Sequence, residues 1–274
     1  KDRPARIIGF PLQEMPFPNK TTGSPIRAKV VGQYRDELLP LLSEYPVEIL
    51  DTDSSETPGL VFSYGGDGTL LGAERDFPGI PKLPLRDKSH NPRCQRHCER
   101  QCLDAFFEGR IALAEYMKLR ASVHGRELTA INDIVLERRL HPLGAIRFQA
   151  SVNGGAPLPR VIADALVIAT PYGSTGYFKS ITRGAFERGI GLAYSNPIDG
   201  EQFLVVGEDS SISVKILRGP AILQAGNSPK GVELTDGDEF TIAAAREKAR
   251  IYGLDEFRCQ ECYNLRRMHG RDAL

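Results

Sequence analysis

Tryptophan is absent from the 274 residues, and no net charge remains once 35 Lys+Arg are set against 35 Asp+Glu. The balance removes any global attraction to nucleic acid and leaves only local basic patches. No apolar run approaches the roughly 20 residues that span a bilayer, which argues against a membrane-embedded chain. Cysteine is scarce and odd in number, at five, and no secretory segment is read ahead of it. A full disulfide framework is thereby excluded, and a reducing, cytoplasmic setting is expected. The sequence opens on Lys1 rather than Met, so a trimmed targeting segment stays open. What is present is ordinary globular usage, 41% hydrophobic and 26% charged, which excludes a largely disordered chain.

Residues 6–10 read as a short opening strand. Apolar positions at Val30, Val31, Tyr34, Leu38, Leu41 and Leu42 predict a helix over 26–43. Residues 47–50 and 60–64 read as strands, the second of them buried. Strand, helix, strand and then strand with a glycine turn is the pattern of a parallel α/β sheet. After about Lys118 the register changes. Residues 119–123, 128–137, 145–152, 165–169, 203–206, 211–217, 221–224 and 240–243 read as strands, with tight turns at Asn153-Gly154 and Asp236-Gly237. The expected fold is an α/β N-terminal domain with a parallel sheet over 1–115, followed by an all-β sandwich C-terminal domain over 116–274 that includes a C-terminal tail.

The sharpest feature is Tyr64-Gly65-Gly66-Asp67-Gly68-Thr69. A buried strand runs into three glycines and then a helix. Glycines let backbone N–H groups approach an anion, and the helix N-terminus adds partial positive charge, so Gly65, Gly66, Gly68 and Thr69 suit a phosphate. The Lys of a Walker loop is missing. A carboxylate repels phosphates, so Asp67 makes sense if it takes a proton from an attacking hydroxyl or holds Mg²⁺. The plainer alternative is a tight turn in which Asp67 caps the helix.

Here the chain resembles the NAD kinase family, which carries Gly-Gly-Asp-Gly-Thr after a strand. Related lipid kinases carry the string too, so alone it implies phosphotransfer to a hydroxyl and not which hydroxyl. Two further stretches bear on the acceptor. The run from Ala163 to Tyr177, with Thr170-Pro171-Tyr172-Gly173-Ser174-Thr175-Gly176-Tyr177, is similar to the family's strand and Thr-Pro-Thr-Gly-Ser-Thr-Ala-Tyr. Its Tyr177 offers an aromatic face for a base, and Asp164 a carboxylate for ribose or amide donors. Ile131-Asn132-Asp133-Ile134 looks like the family's Asn-Glu/Asp pair. Adjacent strand residues point to opposite faces, so a bulge is needed for Asn132 and Asp133 to enter one site. The resemblance implies that Thr175, Gly176, Tyr177 and Ser180 line the adenine side of an NAD site, Asp164 the nicotinamide side, and Asn132 and Asp133 the ribose.

By the same resemblance the chain is an NAD kinase. It would transfer the γ-phosphoryl of ATP, or a polyphosphate end, to the adenosine 2′-hydroxyl of NAD, with Asp67 as base and Mg²⁺ or another divalent cation as cofactor. A homodimer or homotetramer is implied, with no nucleic-acid or membrane partner. Two alternatives stand beside it: a dinucleotide sensor with weak or no turnover, and a kinase for another hydroxyl.

The sequence also departs from the family. An Asn-containing, Gly-rich segment is replaced by a basic stretch with Lys82, Arg86, Lys88, Arg93, Arg96 and Arg100. It reads either as a clamp on the donor triphosphate or as a solvated face. Gly176 stands where Ala is common, and Ala225-Gly226 is the nearest match to an Asp-Gly pair. Finally, Cys94, Cys98 and Cys102 recur every four residues, and Cys259 and Cys262 form Cys-x-x-Cys. They read either as reduced thiols or as a structural zinc site built from Cys94, Cys98, Cys259 and Cys262, with His90 or His97 as substitutes.

Overall fold

Short runs of apolar residues put parallel strands where the spacing over 26–43 had suggested a helix. The structure is a computed structural model that describes residues 10–11, 24–87, 93–139, 144–254 and 260–272. Most of the opening strand expected over 6–10, together with Lys88, His90 and Cys259, lies outside the described residues. The first strands are β1 (Phe10–Pro11), β2 (Ile26–Val31), β3 (Val47–Ile49), β4 (Leu60–Tyr64) and β5 (Lys82–Leu85). β2 lies between β3 and β4, pairing parallel with both. Ala28, Lys29 and Val30 are buried in succession, as expected for a strand covered on both faces. The β-branched Val30-Val31 pair fits that pleat better than a helix. What survives of the helical reading is one 3₁₀ turn, Arg35–Glu37, and α1 (Leu39–Leu42), which seats Leu42 in the core. α2 (Asp67–Asp76), α3 (Glu99–Phe107) and β6 (Leu113–Tyr116) complete this part.

The chain then builds two antiparallel sheets from β7 (Leu119–Val123), β8 (Arg126–Ala130), β9 (Asp133–Arg138), β10 (Ile146–Val152), β11 (Val161–Ala163), β12 (Ala165–Ala169), β13 (Ile190–Ser195), β14 (Phe203–Val206), β15 (Ile212–Arg218), β16 (Ala221–Ala225), β17 (Val232–Leu234) and β18 (Glu239–Ala244). One sheet runs β11-β10-β15-β18-β7-β8 and the other β14-β13-β12-β9-β16-β17. Phe148, Ile216 and Phe240 from the first share one buried cluster with Leu136, Ile168 and Leu192 from the second. α4 (Tyr177–Thr182) covers the other face of β12, where Phe178 packs on Val167, Ala169 and Ala193. The single strand expected over 128–137 is in fact β8 and β9, which belong to different sheets. The chain crosses between them at Ile131-Asn132.

A second correction concerns the end of the chain. Instead of a tail on the β domain, β19 (Ala249–Tyr252) pairs antiparallel with β6 and parallel with β5, and α5 (Gln260–Asp272) follows. Ala249 and Ile251 are fully buried there, which fixes the return. The first sheet therefore runs β1-β6-β19-β5-β4-β2-β3, parallel at its centre and antiparallel at the β1-β6-β19 edge, not wholly parallel. Among the described residues two compact units result: one from the residues up to Tyr116 together with those from Ala249 onward, the other Met117–Lys248. Among the described residues no helix is long and apolar enough to cross a membrane.

One buried ion pair locks α2 to the sheet. The Lys82 ammonium, wholly buried on β5, donates to the Glu74 carboxylate of α2 and to the Phe77 carbonyl at 2.5 Å. Removing one member leaves the other charged in an apolar setting. Glu74→Ala is expected to cost about 3–5 kcal/mol in urea unfolding, and Glu74→Leu with Lys82→Met to recover most of it. A double variant no better than the single would show that the pair itself is the source of stability.

Candidate functional site

In the first unit the strand order reverses between β2 and β4, since the chain passes from β2 outward to β3 and from β4 outward to β5. Ligands of open α/β sheets bind at the carboxyl ends of strands flanking such a reversal, and the glycine turn leaves β4 there. Gly65 donates its N–H to the Leu85 carbonyl at 2.8 Å. Its φ of 150° is a conformation that L side chains rarely adopt, and a Cβ would sit 2.4 Å from the Thr69 hydroxyl oxygen. Gly66 is the N-cap of α2 and Asp67 its first residue, so the helix opens two residues earlier than a start at Thr69. The Asp67 side chain is 68% exposed and accepts a hydrogen bond from the Arg86 guanidinium, which follows β5.

The described residues of the basic stretch do not gather into a clamp. Lys82 is consumed by Glu74, and Arg100 holds Glu44 through two bonds of 2.8 and 2.7 Å on the surface. Arg96 lies 3.9 Å from Glu261, and Arg93 lies against the Cys102 sulfur. Of the described basic residues in this stretch, Arg86 is bonded to a residue of the glycine turn. Sequence reasoning missed a neighbouring cavity of about 430 Å³ lined by Gly32, Arg35, Asp51, Thr52 and Phe77 among others. Its walls come from the carboxyl ends of β2 and β3 and the residues after them, with Phe77 from the end of α2. Lys29 shapes one wall, donating to the Ser54 carbonyl at 2.7 Å. No local motif marks these residues; only the strand order collects them.

In the second unit, the crossing at Ile131-Asn132 meets the end of β12. Thr170 binds it three ways. Its N–H donates to the Asn132 carbonyl at 2.8 Å, and its hydroxyl donates to the carbonyls of Ile131 at 2.5 Å and Asn132 at 3.1 Å. The same hydroxyl accepts the Gly173 N–H at 3.1 Å. Gly173 lies so close that a Cβ would stand 2.1 Å from the Asn132 carbonyl oxygen. Asn132 and Asp133 thus sit at a chain crossing and not mid-strand, which is how both polar side chains reach one place. The Asn132 amide donates to the Asp133 carboxylate at 3.1 Å, while the Asn132 side-chain oxygen is buried with no hydrogen-bond partner among the described residues. Gly226 abuts that oxygen, so Ala225-Gly226 also belongs to the cluster. Thr175, Gly176, Tyr177 and Ser180 are exposed on the turn and the first turn of α4, with Ser180 donating to the Tyr177 carbonyl at 2.8 Å.

Asp164 is not brought to this cluster. It precedes β12 at the opposite end from Thr170, about 20 Å away along the strand, and accepts from the Asn196 amide at 2.8 Å. Of the sequence-predicted zinc ligands, Cys94 and Cys262 meet each other and His97, whereas Cys98 is not part of that group. Cys98 instead caps α3. Cys102 is buried in the core of its unit, where burial pushes its thiol up to about 12.

Burial alone pushes the Asp133 carboxyl, 7% exposed, from 3.8 up to about 6. The folded carboxyl holds its proton to higher pH than the unfolded one. Its contribution to stability is therefore fully present below 3.8 and is lost as pH rises through about 6. Two units correspond to about 3 kcal/mol. Asp133→Asn stays neutral, so it is expected to match its parent near pH 4 and exceed it by up to about 3 kcal/mol at pH 7.5. Urea midpoints at both pH values check this. A gap that does not widen with pH would remove the buried carboxylate as its cause.

An open α/β sheet with a Gly-Gly-Asp-Gly-Thr turn at its point of reversal, joined to a β-rich unit bearing a polar cluster at a chain crossing, defines a nucleotide-handling phosphotransferase architecture. The comparisons narrow this. No family model matches. The NAD kinase of Citrifermentans bemidjiense is 30% identical over 224 residues, covering 73% of this chain and 74% of its own. That of Magnetococcus marinus is 29% identical over 219 residues, 73% and 70%. Among solved structures, an NAD kinase from Archaeoglobus fulgidus in complex with ATP superposes with a TM-score of 0.68 at 21% identity, over 90% of this chain and 99% of its own. Yeast NADH kinase complexed with NADH gives 0.68 at 18% identity, over 84% of each chain. The chain belongs to the NAD kinase family.

Proposed function

We propose that the chain transfers the γ-phosphoryl of ATP to the 2′-hydroxyl of the adenosine ribose of NAD, giving NADP. The observation that carries this is the exposed Asp67 carboxylate at the mouth of a glycine turn. There it can accept the proton of an acceptor hydroxyl. The turn's Gly65 N–H is spent on Leu85 and its Thr69 N–H on Gly66, so phosphate is offered the Gly66 N–H and the N-terminus of α2, with Gly68 leaving room for its approach. The Arg86 guanidinium orients Asp67 and balances charge beside the donor. The cavity of about 430 Å³ next to the turn is of a size for the donor's base and ribose. Mg²⁺ would accompany ATP as its counter-ion. A single carboxylate at the turn fits an ion held mainly by substrate phosphates, and that ion would offset charge on the donor oxygens. Little covalent chemistry falls to the protein, so positioning carries most of the rate.

Asn132 and Asp133 would hold the acceptor ribose, with the partnerless Asn132 oxygen taking a hydroxyl proton as hydrogen bond. Tyr177 would stack on a base, beside Thr175, Gly176 and Ser180. Asp164 lies too far along β12 to join them, so its contact with the nicotinamide end is assigned to a second copy of the chain in a homodimer or homotetramer. A reducing, cytoplasmic setting goes with this reading. The test is incubation with ATP and Mg²⁺ and either NAD or diacylglycerol, following NADP with an NADP-specific dehydrogenase and lipid phosphate by chromatography. NADP alone is expected. Labelled lipid, or NAD bound without NADP, would contradict it.

A further inference from the structure

Among the residues of α5 with described exposure, no broad apolar face is buried. Of these, Gln260, Glu261, Tyr263, Asn264 and Met268 are exposed, Leu265 is intermediate, and only Cys262 is buried, at 0%. A helix that is polar nearly all round is not held in place by hydrophobic burial. The exposed contact of Arg96 with Glu261 at 3.9 Å adds little. The chemistry around the Cys262 sulfur offers a stronger tether.

Cys262 Sγ lies 3.5 Å from Cys94 Sγ and 3.3 Å from His97 Nδ1, and Cys94 Sγ lies 3.4 Å from the same nitrogen. Three soft ligand atoms thus form a near-equilateral triangle. Tetrahedral zinc with bonds of about 2.3 Å to sulfur and about 2.0 Å to nitrogen requires ligand separations of about 3.5–3.8 Å, close to those found. A disulfide needs sulfurs about 2.05 Å apart and has no use for an imidazole. The Cys94 backbone N–H, moreover, points at Cys262 Sγ at 3.3 Å, which stabilises a thiolate. Cys94 and His97 flank the 3₁₀ turn Gln95–His97 ahead of α3, so the triangle joins two segments 165 or more positions apart.

We propose that Cys94, His97 and Cys262 bind one structural zinc ion that tethers α5 to the segment leading into α3. Both thiols give up their protons on binding, and a fourth ligand completes the tetrahedron. Cys259, three positions ahead of Cys262, lies outside the described residues and is not needed for the three-ligand set. The site is separate from the phosphotransfer reading and stands whether or not that reading does.

The experiment is elemental analysis of the full chain purified without chelator or affinity metal. About one zinc per chain is expected. Cys94→Ser, His97→Ala and Cys262→Ser are each expected to lower it to background, while Cys98→Ser and Cys102→Ser keep it. Should a variant fail to fold, cobalt titration of the metal-stripped parent serves instead, with thiolate-to-cobalt charge-transfer absorption expected. Proteolysis of the stripped parent is expected to release α5, and zinc to protect it. A parent that binds neither metal, zinc retained by all three ligand variants, or a mass showing Cys94 and Cys262 oxidised to a disulfide would overturn the site.

Discussion

Asp67→Asn is expected to lower kcat for NADP formation by about 10²–10⁴-fold while leaving NAD affinity unchanged. Asn has the shape of Asp but cannot take a proton. The side chain is 68% exposed, so no packed contact is lost with its charge. The structural consequences are small: an acid in the first turn of a helix contributes about 0.3–1 kcal/mol, and an exposed ion pair such as that with Arg86 about as much. A hundredfold rate loss is about 2.7 kcal/mol, larger than either, so the kinetic effect separates from a stability effect. The check is kcat by coupled assay, affinity by calorimetry and Tm by scanning fluorimetry on the same preparations. Unchanged kcat would remove Asp67 from the chemistry and leave it as a helix-opening residue.

The second large effect is expected from a methyl group. In Gly173→Ala the new Cβ would stand 2.1 Å from the Asn132 carbonyl oxygen and 2.4 Å from its carbon, both backbone atoms with nowhere to go. Relief requires parting the chain crossing from the end of β12, which breaks the bonds Thr170 makes there. A stability loss of about 1–3 kcal/mol is expected, typical of overpacking. NAD affinity should fall further than stability alone accounts for, because Asn132 and Asp133 move together. Gly176→Ala is the matched control. Its Cβ would meet only the Gly173 carbonyl oxygen, at 3.4 Å, so a change within about 0.5 kcal/mol is expected. Urea unfolding and NAD titration of the pair measure the contrast. Equal behaviour of the two variants would mean that the close approach at Gly173 has no part in shaping the cluster.

The elements read correctly from sequence were those whose signals are local. β4, the glycine turn and α2 announce themselves through a buried apolar strand, three glycines and a helix start within a dozen residues. β7, β12 and β14 were likewise legible as apolar runs between turn residues. Other elements depend on contacts that no window contains. Ile26–Val31 carries apolar positions compatible with either period, and only pairing with β3 and β4 decides for a strand. β13 is not among the strands expected from sequence. In the fold Gly191 leaves room for the rings of Phe178 and Phe186, which a Cβ would strike at 2.4–2.8 Å. The division of 128–137 between two sheets is invisible in its apolar pattern, yet that crossing is what gathers Asn132 and Asp133. Residue types were thus found at the candidate sites more readily than their company. Asp67 was legible and its bond to Arg86 was not; Cys94 and Cys262 were legible and His97 was offered as a substitute, but that His97 and not Cys98 is the group that meets them was not.

The most direct trial of the phosphotransfer reading is to incubate the protein with ATP labelled at the γ-phosphorus, Mg²⁺ and NAD, and to find where the label goes. Label on the 2′-phosphate of NADP, formed with turnover and slowed by about 10²–10⁴-fold with Asp67→Asn, is the expected result. Bound NAD that never acquires label would contradict it and leave a chain that recognises the dinucleotide without acting on it.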